Sequence, residues 1–287
     1  GLAAGAIFPD GTPANLDPTK GDPRALFATW LLRPENPYFS RCITNRTWAW
    51  LMGRGIVHEP DDLREDNPPS NARLLEFLEQ EFIQSRCDMK HLFRIILNSR
   101  TFQLSSVPAQ DTPEAAANFA HYPLRRLEAE VLIDAINQIT GTWEEYSSPI
   151  PEPFTFVPED VRSIALSDGS ITSSFLELYG RPPRDTGLES ERSRNTTPAQ
   201  RLHLLNSSHI QRKIEKCPLV AAADEMSPEE HADHIERIYL TMLARYPTES
   251  EQEIILAHAE STGTDGRALA TDLVWALLNQ PEFFFNH

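Results

Sequence analysis

No apolar run in this 287-residue sequence approaches the ~18 residues that a membrane-spanning helix needs. Positive charge is also scarce: Lys and Arg total 26 against 42 Asp and Glu, a formal net charge of −16. A field of that sign argues against nonspecific binding to nucleic acid or to an anionic membrane, both of which need clustered cations. Cysteine occurs three times, at Cys42, Cys87 and Cys217, with no C-x-x-C pair. A zinc knuckle, a thioredoxin-type motif and a C-x-x-C-H haem attachment are therefore absent, and the three thiols read as small buried hydrophobes. H-E-x-x-H, G-x-S-x-G, the P-loop and G-x-G-x-x-G are missing as well, and no repeat of fixed period appears. A hydrophobic fraction of 40% is ordinary for a globular chain, and this length supports a core without metal or disulfide.

What is present is a succession of helix starts. Each joins a capping residue to a proline at the first helical position, where the missing N–H costs nothing. Asp22-Pro23 opens a helix to about Leu32, and Asn36-Pro37 opens one that runs to Met52 and closes at Gly53. Thr197-Pro198 opens one to about Lys213. Ser227-Pro228 with Glu230, and Thr248 with Glu251, have capping-box spacing. Apolar positions three and four apart predict further helices over Asn71 to Ser85, Asp88 to Ser99, Arg126 to Thr140 and Asp265 to Asn279. Residues 1–21 read as a leader from an upstream region. Gly1 to Phe8 is too short and uncharged for a signal peptide, so any targeting segment is expected upstream. Residues 142–196 are proline-rich and lack helical period, with β-type runs at Phe154 to Val157 and Ser170 to Leu178. The expected fold is mainly α: one irregular multi-helix domain over 22–287, with a long loop excursion at 142–196 that includes a small hairpin. Long loops inside compact domains are often functional.

Three groups of residues could carry chemistry. The Asn36–Met52 helix is apolar around its circumference, which predicts burial, yet it contains Asn45 and Arg46. A buried guanidinium needs a carboxylate, so these two predict either a pocket for a ligand anion or a clasp that fixes helix packing. If the pair is buried, Arg46→Met should cost about 3–5 kcal/mol. Arg125, Arg126, Glu128, Glu130 and Asp134 form a second group, with Arg126–Glu130 and Glu130–Asp134 four apart on the expected helix. The third is the turn-rich stretch with Arg181, Arg184, Asp185, Glu189, Glu191, Arg192 and Arg194. Its guanidiniums could clamp an anion bidentately or pin the excursion to the helices. We expect Asn45, Arg46, Arg125, Arg126, Glu130, Asp134, Arg181, Glu191 and Arg192 to form a polar junction. Asp61 and Asp62, in an acidic loop, are weak candidates for a hard cation. No calcium loop of EF-hand spacing is present, and helix capping is the alternative role. His231 and His234, three apart, are too few to define a metal site.

These residues resemble a known family. Asn36-Pro37 through Asn45-Arg46-Thr47-Trp48-Ala49, Gly53-Arg54-Gly55-Ile56-Val57 and Asn67-Pro68-Pro69-Ser70 resemble the opening of the planctomycete-type domain of unknown function 1553. Lys90 to Gln103, Arg125-Arg126-Leu127-Glu128-Ala129-Glu130 with Asp134-Ala135, and Gly180-Arg181-Pro182 with Glu191-Arg192, Gln200 and Leu204-Leu205-Asn206 continue the likeness. So do Arg245-Tyr246-Pro247-Thr248 and Trp275 to Asn279 with Glu282-Phe283, so the resemblance spans roughly Arg24 to His287. It implies a periplasmic or secreted protein with an upstream partner domain, sometimes beside a cytochrome c domain that would carry any haem. It supplies no catalytic residues. Where many members have Cys-x-Cys before the Glu-Arg pair, this sequence has Leu188 and Ser190. Two main functions remain open. One is a noncatalytic C-terminal module without its own cofactor, binding its upstream domain, a partner protein or a polysaccharide. The other is a carbohydrate-active enzyme with Asp61, Asp62, Glu130 and Glu191 as candidate acids and a site between the Asn45–Arg46 helix and the Arg181–Arg192 loop. An accessory role in cytochrome c electron transfer is a third reading.

Overall fold

Local hydrogen bonding decides where most helices begin. A computed structural model describes residues 6–14, 22–166, 169–182, 191–193, 195–225, 230–264 and 266–286. At Asp22, Asn36, Asn71, Asp88, Thr197 and Thr248 the side-chain oxygen accepts an N–H from the first helical turn. Those donors have no partner within the helix, so each cap contributes about 1 kcal/mol. The expected Ser227-Pro228 start and Asp265 lie outside the described residues. The chain is mainly α-helical, and its contacts divide it into two compact units, Gly1–Pro123 and Leu124–His287.

In the first unit, α1 (Pro23–Leu31), α2 (Pro37–Met52), α3 (Ala72–Gln84), α4 (Met89–Leu97) and the short α5 (Pro113–Ala117) follow in order. Trp48 and Met52 of α2 pack with Leu75, Leu78 and Phe82 of α3 and with Leu92 and Ile96 of α4. The expectation that α2 is buried on all sides needs correction. Trp50 is 45% exposed, whereas Ser40, Thr44, Asn45 and Thr47 face inward. Composition around the helix misleads here because the buried face takes polar groups: Asn45 bonds to loop backbone, and Thr47 donates to the Ile43 carbonyl of its own helix. Of the thiols expected to be buried, Cys217 is, Cys42 is partly so, and Cys87 is exposed.

The second unit contains β1 (Arg125–Arg126), α6 (Ala129–Thr140), α7 (Ser174–Leu178), α8 (Pro198–Asn206), α9 (Ser208–Glu215), α10 (Pro218–Ala222), α11 (His231–Leu243), α12 (Glu249–Thr262), α13 (Gly266–Leu278), α14 (Pro281–Phe284) and β2 (Phe285–Asn286). Helix α13 runs through its centre, with Val274, Leu277 and Leu278 fully buried. Burial of such a side chain contributes up to about 1.5–3 kcal/mol. Three boundaries depart from the sequence reading. The helix expected from Arg126 starts at Ala129, because Arg125 and Arg126 are extended and pair antiparallel with Asn286 and Phe285. Arg126 and Glu130 are therefore not neighbours on one helix. The helix expected from Thr197 to Lys213 breaks at Ser207, whose hydroxyl accepts the Ile210 N–H and starts α9. The β-type run Ser170 to Leu178 is largely helical: Ser173 caps α7, and Thr172 alone makes a bridge, to Ser147. Phe154 to Val157 forms no strand, and Phe154 and Phe156 stand exposed.

Arg245, just past α11, forks between two carboxylates. It reaches Glu251 at 2.8 Å through two nitrogens and Glu282 at 2.7 Å through two more contacts. Glu251 also accepts the Thr248 N–H and closes the capping box of α12. The Arg245 hydrogen bonds, opposed by partial burial, hold the Glu251 carboxyl at about 2, below its ordinary 4.5. A depressed carboxyl pKa adds stability above the unfolded value, and that increment is lost as pH falls through the folded value. Melting temperature is therefore predicted to fall between pH 4.5 and about 2, and Glu251→Gln should flatten that part of the curve. An identical pH profile in the variant would show that Glu251 contributes no such increment.

Candidate functional site

Within the first unit, Asn45 lies at the buried centre of α2 and acts as a brace. Its amide nitrogen donates to the carbonyls of Val57 at 3.1 Å and Pro60 at 3.0 Å, and its oxygen accepts the Val57 N–H at 2.9 Å. The side chain thus supplies what a neighbouring strand would supply to loop 53–60. Gly55 is required by the same packing: a Cβ there would lie 2.1 Å from the Val57 carbonyl oxygen. Arg46 pairs with Asp61, and both side chains are about a third exposed, at 32% and 27%. Asp62 is held by Arg64, which keeps its carboxyl below the usual range. Both candidate cation ligands are thus engaged by arginines. Among the described residues no three His, Cys, Asp or Glu side chains converge as a metal cage.

Within the second unit the structure brings Glu130, Arg181 and Arg192 together. Glu130 sits on the first turn of α6 with its side chain 8% exposed. Both of its oxygens accept from the same Arg192 nitrogen at 2.9 Å, and Arg181 Nε lies 3.3 Å from Oε1. Arg192 also lies 3.6 Å from Glu128. Arg181 further donates to the Ile171 carbonyl. Arg126 lies over the Tyr179 and Phe284 rings and donates to the carbonyls of Tyr179 at 2.8 Å and Ser193 at 2.6 Å. Between them Gly180 adopts φ +90°, where a Cβ would lie 2.1 Å from the Ser193 carbonyl oxygen. Gln200 donates to the Leu178 carbonyl, and its own carbonyl accepts the Tyr179 hydroxyl. Asp134 does separate work: it accepts the Ser163 and Ile164 N–H groups at 2.7 and 3.1 Å and anchors the excursion to α6. Arg125 lies in β1, and Glu191 is exposed next to Arg192. Arg184, Asp185, Leu188, Glu189, Ser190 and Arg194 lie outside the described residues.

A second polar cluster, absent from the residues expected from sequence, joins α6, α9 and residues 143–144. Lys213, 5% exposed, donates to Asn137 at 2.7 Å and to the Trp143 carbonyl at 2.8 Å, with Glu144 at 3.4 Å. His209 meets the same Glu144 oxygen at 3.1 Å. Burial works against the Glu144 charge, but the His209 hydrogen bond and the His209 and Lys213 charges outweigh it and hold the carboxyl below its ordinary range. Burial pushes the Lys213 ammonium down, and Glu144 partly offsets this. The available sequence signal was His209 and Lys213, four apart on one helix face. Their partners lie some seventy positions away, which no local pattern reveals.

In front of this cluster opens a cleft of about 830 Å³, lined among others by Trp143, Glu144, Glu145, Tyr146, Glu152, Glu159, Asp160 and Lys216. Trp143 is 55% exposed. A second hollow of about 240 Å³ shares Gly141, Thr142 and Trp143 and continues to Asp134 and Arg162. The excursion expected at 142–196 therefore supplies much of a cavity in the size range of small-ligand sites.

The family described as protein of unknown function (DUF1553) matches residues 23–259, and the chain belongs to that family. Neither a curated protein nor a solved structure matches it.

The two arginine–carboxylate sets differ in shelter, and their energetics should differ accordingly. Glu130→Ala leaves two guanidiniums without their shared carboxylate and should destabilise by about 3–5 kcal/mol. Arg46→Met should cost below about 1 kcal/mol, because the Arg46–Asp61 pair is open to water. Urea unfolding of both variants measures this; equal losses would show the Arg46 pair to be as sheltered as that of Glu130.

Proposed function

We propose that this chain is a noncatalytic, glycan-binding helical module of a larger extracytoplasmic protein of planctomycete type. The observation that carries the reading is the cleft of about 830 Å³ beside the half-exposed Trp143 indole. An exposed aromatic face at the edge of an open polar cleft suits the C–H face of a sugar ring, while carboxylates and backbone groups around it accept hydroxyl hydrogens. The hydrolase reading draws less support. A glycosidase needs two carboxylates free to flank the scissile bond, and three of the four acids named for that role, Asp61, Asp62 and Glu130, are engaged by arginines.

The setting follows from the family resemblance. It favours a periplasmic or secreted location, a position C-terminal to a partner domain, and haem only on a neighbouring cytochrome c domain where one is present. No helix among the described residues is long and apolar enough to cross a membrane.

A glycan array probed with the chain and with Trp143→Ala tests the proposal. The chain should retain one polysaccharide class, and the variant should lose at least about tenfold in affinity at unchanged melting temperature. Retention of no glycan, or equal binding by the variant, would refute glycan binding at this cleft. Release of reducing sugar from a bound glycan would refute the noncatalytic part.

A further inference from the structure

We infer that the cleft selects glycans bearing free amines, such as glucosamine oligomers, over neutral or acidic ones. This rests on the glycan-binding reading and adds the chemical class of the ligand.

Five carboxylates line the cleft, Glu144, Glu145, Glu152, Glu159 and Asp160, against one ammonium, Lys216. Glu144 already has counter-charge on its protein side, with His209 at 3.1 Å and Lys213 at 3.4 Å. Glu145, Glu152, Glu159 and Asp160 differ from it. All four are exposed, and none makes a side-chain hydrogen bond or ion pair among the described residues. Lys213 offsets part of the Glu145 charge, and among the described residues the charges of Glu152, Glu159 and Asp160 have no such partner where a ligand would lie. A uronic or sulfated sugar would be repelled there, and a neutral sugar would gain nothing from the charge. An ammonium gains from every carboxylate within a Debye length, roughly 8 Å at physiological salt.

The aromatic lining makes the site more than a set of acidic side chains. Trp143 borders both the large cleft and the hollow of about 240 Å³ on the Asp134 side. A chain of sugars could cross the indole and occupy both. Tyr146 also lines the cleft, its hydroxyl turned away to the Val161 carbonyl and the Ser163 hydroxyl. Trp143 thus offers an aminosugar two favourable contacts, stacking against its ring and attraction of its ammonium to the π face. A simple diamine lacks the first and an N-acetylated sugar lacks the second.

The test is calorimetry on the chain at about pH 6, where sugar amines carry substantial charge. The probes are a β-1,4-linked glucosamine tetramer, its fully N-acetylated counterpart and polylysine. The free amine should bind at least about tenfold tighter than the acetylated form, and the preference should shrink in high salt. A variant combining Glu145→Gln, Glu152→Gln, Glu159→Gln and Asp160→Asn changes only exposed groups. It should lose the preference, so that the two tetramers bind alike, and Trp143→Ala should weaken both. Equal or tighter binding of the acetylated tetramer to the unaltered chain would overturn amine selection and leave glycan binding standing. Binding of polylysine as tight as the glucosamine tetramer, insensitive to Trp143→Ala, would overturn the inference in favour of unspecific charge attraction. Failure of both sugars, together with silence on the glycan array, would remove the underlying reading as well.

Discussion

The Glu130 carboxylate is the point on which the irregular part of the second unit depends. It is nearly inaccessible to water, and two guanidiniums meet it, Arg181 at 3.3 Å and Arg192 at 2.9 Å. Desolvating such charges is costly, so the arrangement holds only if their hydrogen-bonding capacity is broadly met. The surrounding backbone provides much of this. Arg181 takes the Ile171 carbonyl, and neighbouring Arg126 takes those of Tyr179 and Ser193. Arg181 and Arg192 are thereby fixed by charge to the start of α6. Gly180 makes the approach possible, because any side chain there would enter the space of the Ser193 carbonyl.

How much of this was legible in the sequence depended on the distance between partners. Caps were readable because donor and acceptor lie within three residues, as at Asn36, Asn71 and Thr248. The break at Ser207 was missed although its cap is equally local, because the apolar pattern continues through it. Arg126 was assigned to a helix because its actual partner, Phe285, is far away along the chain. For the same reason the grouping of Glu130 with Arg181 and Arg192 came from charge content, and its geometry could not be foreseen. Asn45 stands out in the sequence as a polar residue in an apolar helix, but its partners are backbone groups, and sequence carries no signal for those. In the Lys213–Glu144–His209 cluster only the spacing of His209 and Lys213 is local, and Glu144 lies far away along the chain. The resemblance marked Asn45, Gly55, Glu130, Gly180, Arg181, Gln200, Arg245 and Glu282, and nearly all of them prove to brace backbone or join elements.

The binding surface is proposed where regular structure is thinnest. Residues 142–166 gain their form from the Ser147–Thr172 bridge, from Asp134 beneath the 3-10 turn Ser163–Ala165, and from Tyr146. A segment held at a few points leaves space between them, as a close-packed helix face does not. The cleft and the exposure of Trp143 both follow from this. Behind it, the Glu144–Lys213 pair fixes one wall with its charges largely balanced, so the outer carboxylates set the sign of the surface.

The brace formed by Asn45 has a consequence for how this chain can tolerate change. Loop 53–60 contains no regular hydrogen-bonded ladder; one amide group engages Val57 twice and Pro60 once. Backbone groups, unlike side chains, are the same for nearly every amino acid. Away from Gly55 and the buried Ile56 and Val57, a residue of the loop can therefore change in identity without loss of these bonds, whereas a change in its length displaces all three together. Chain length between Asn45 and Pro60 is thus as closely constrained as the identities of Gly55, Ile56 and Val57.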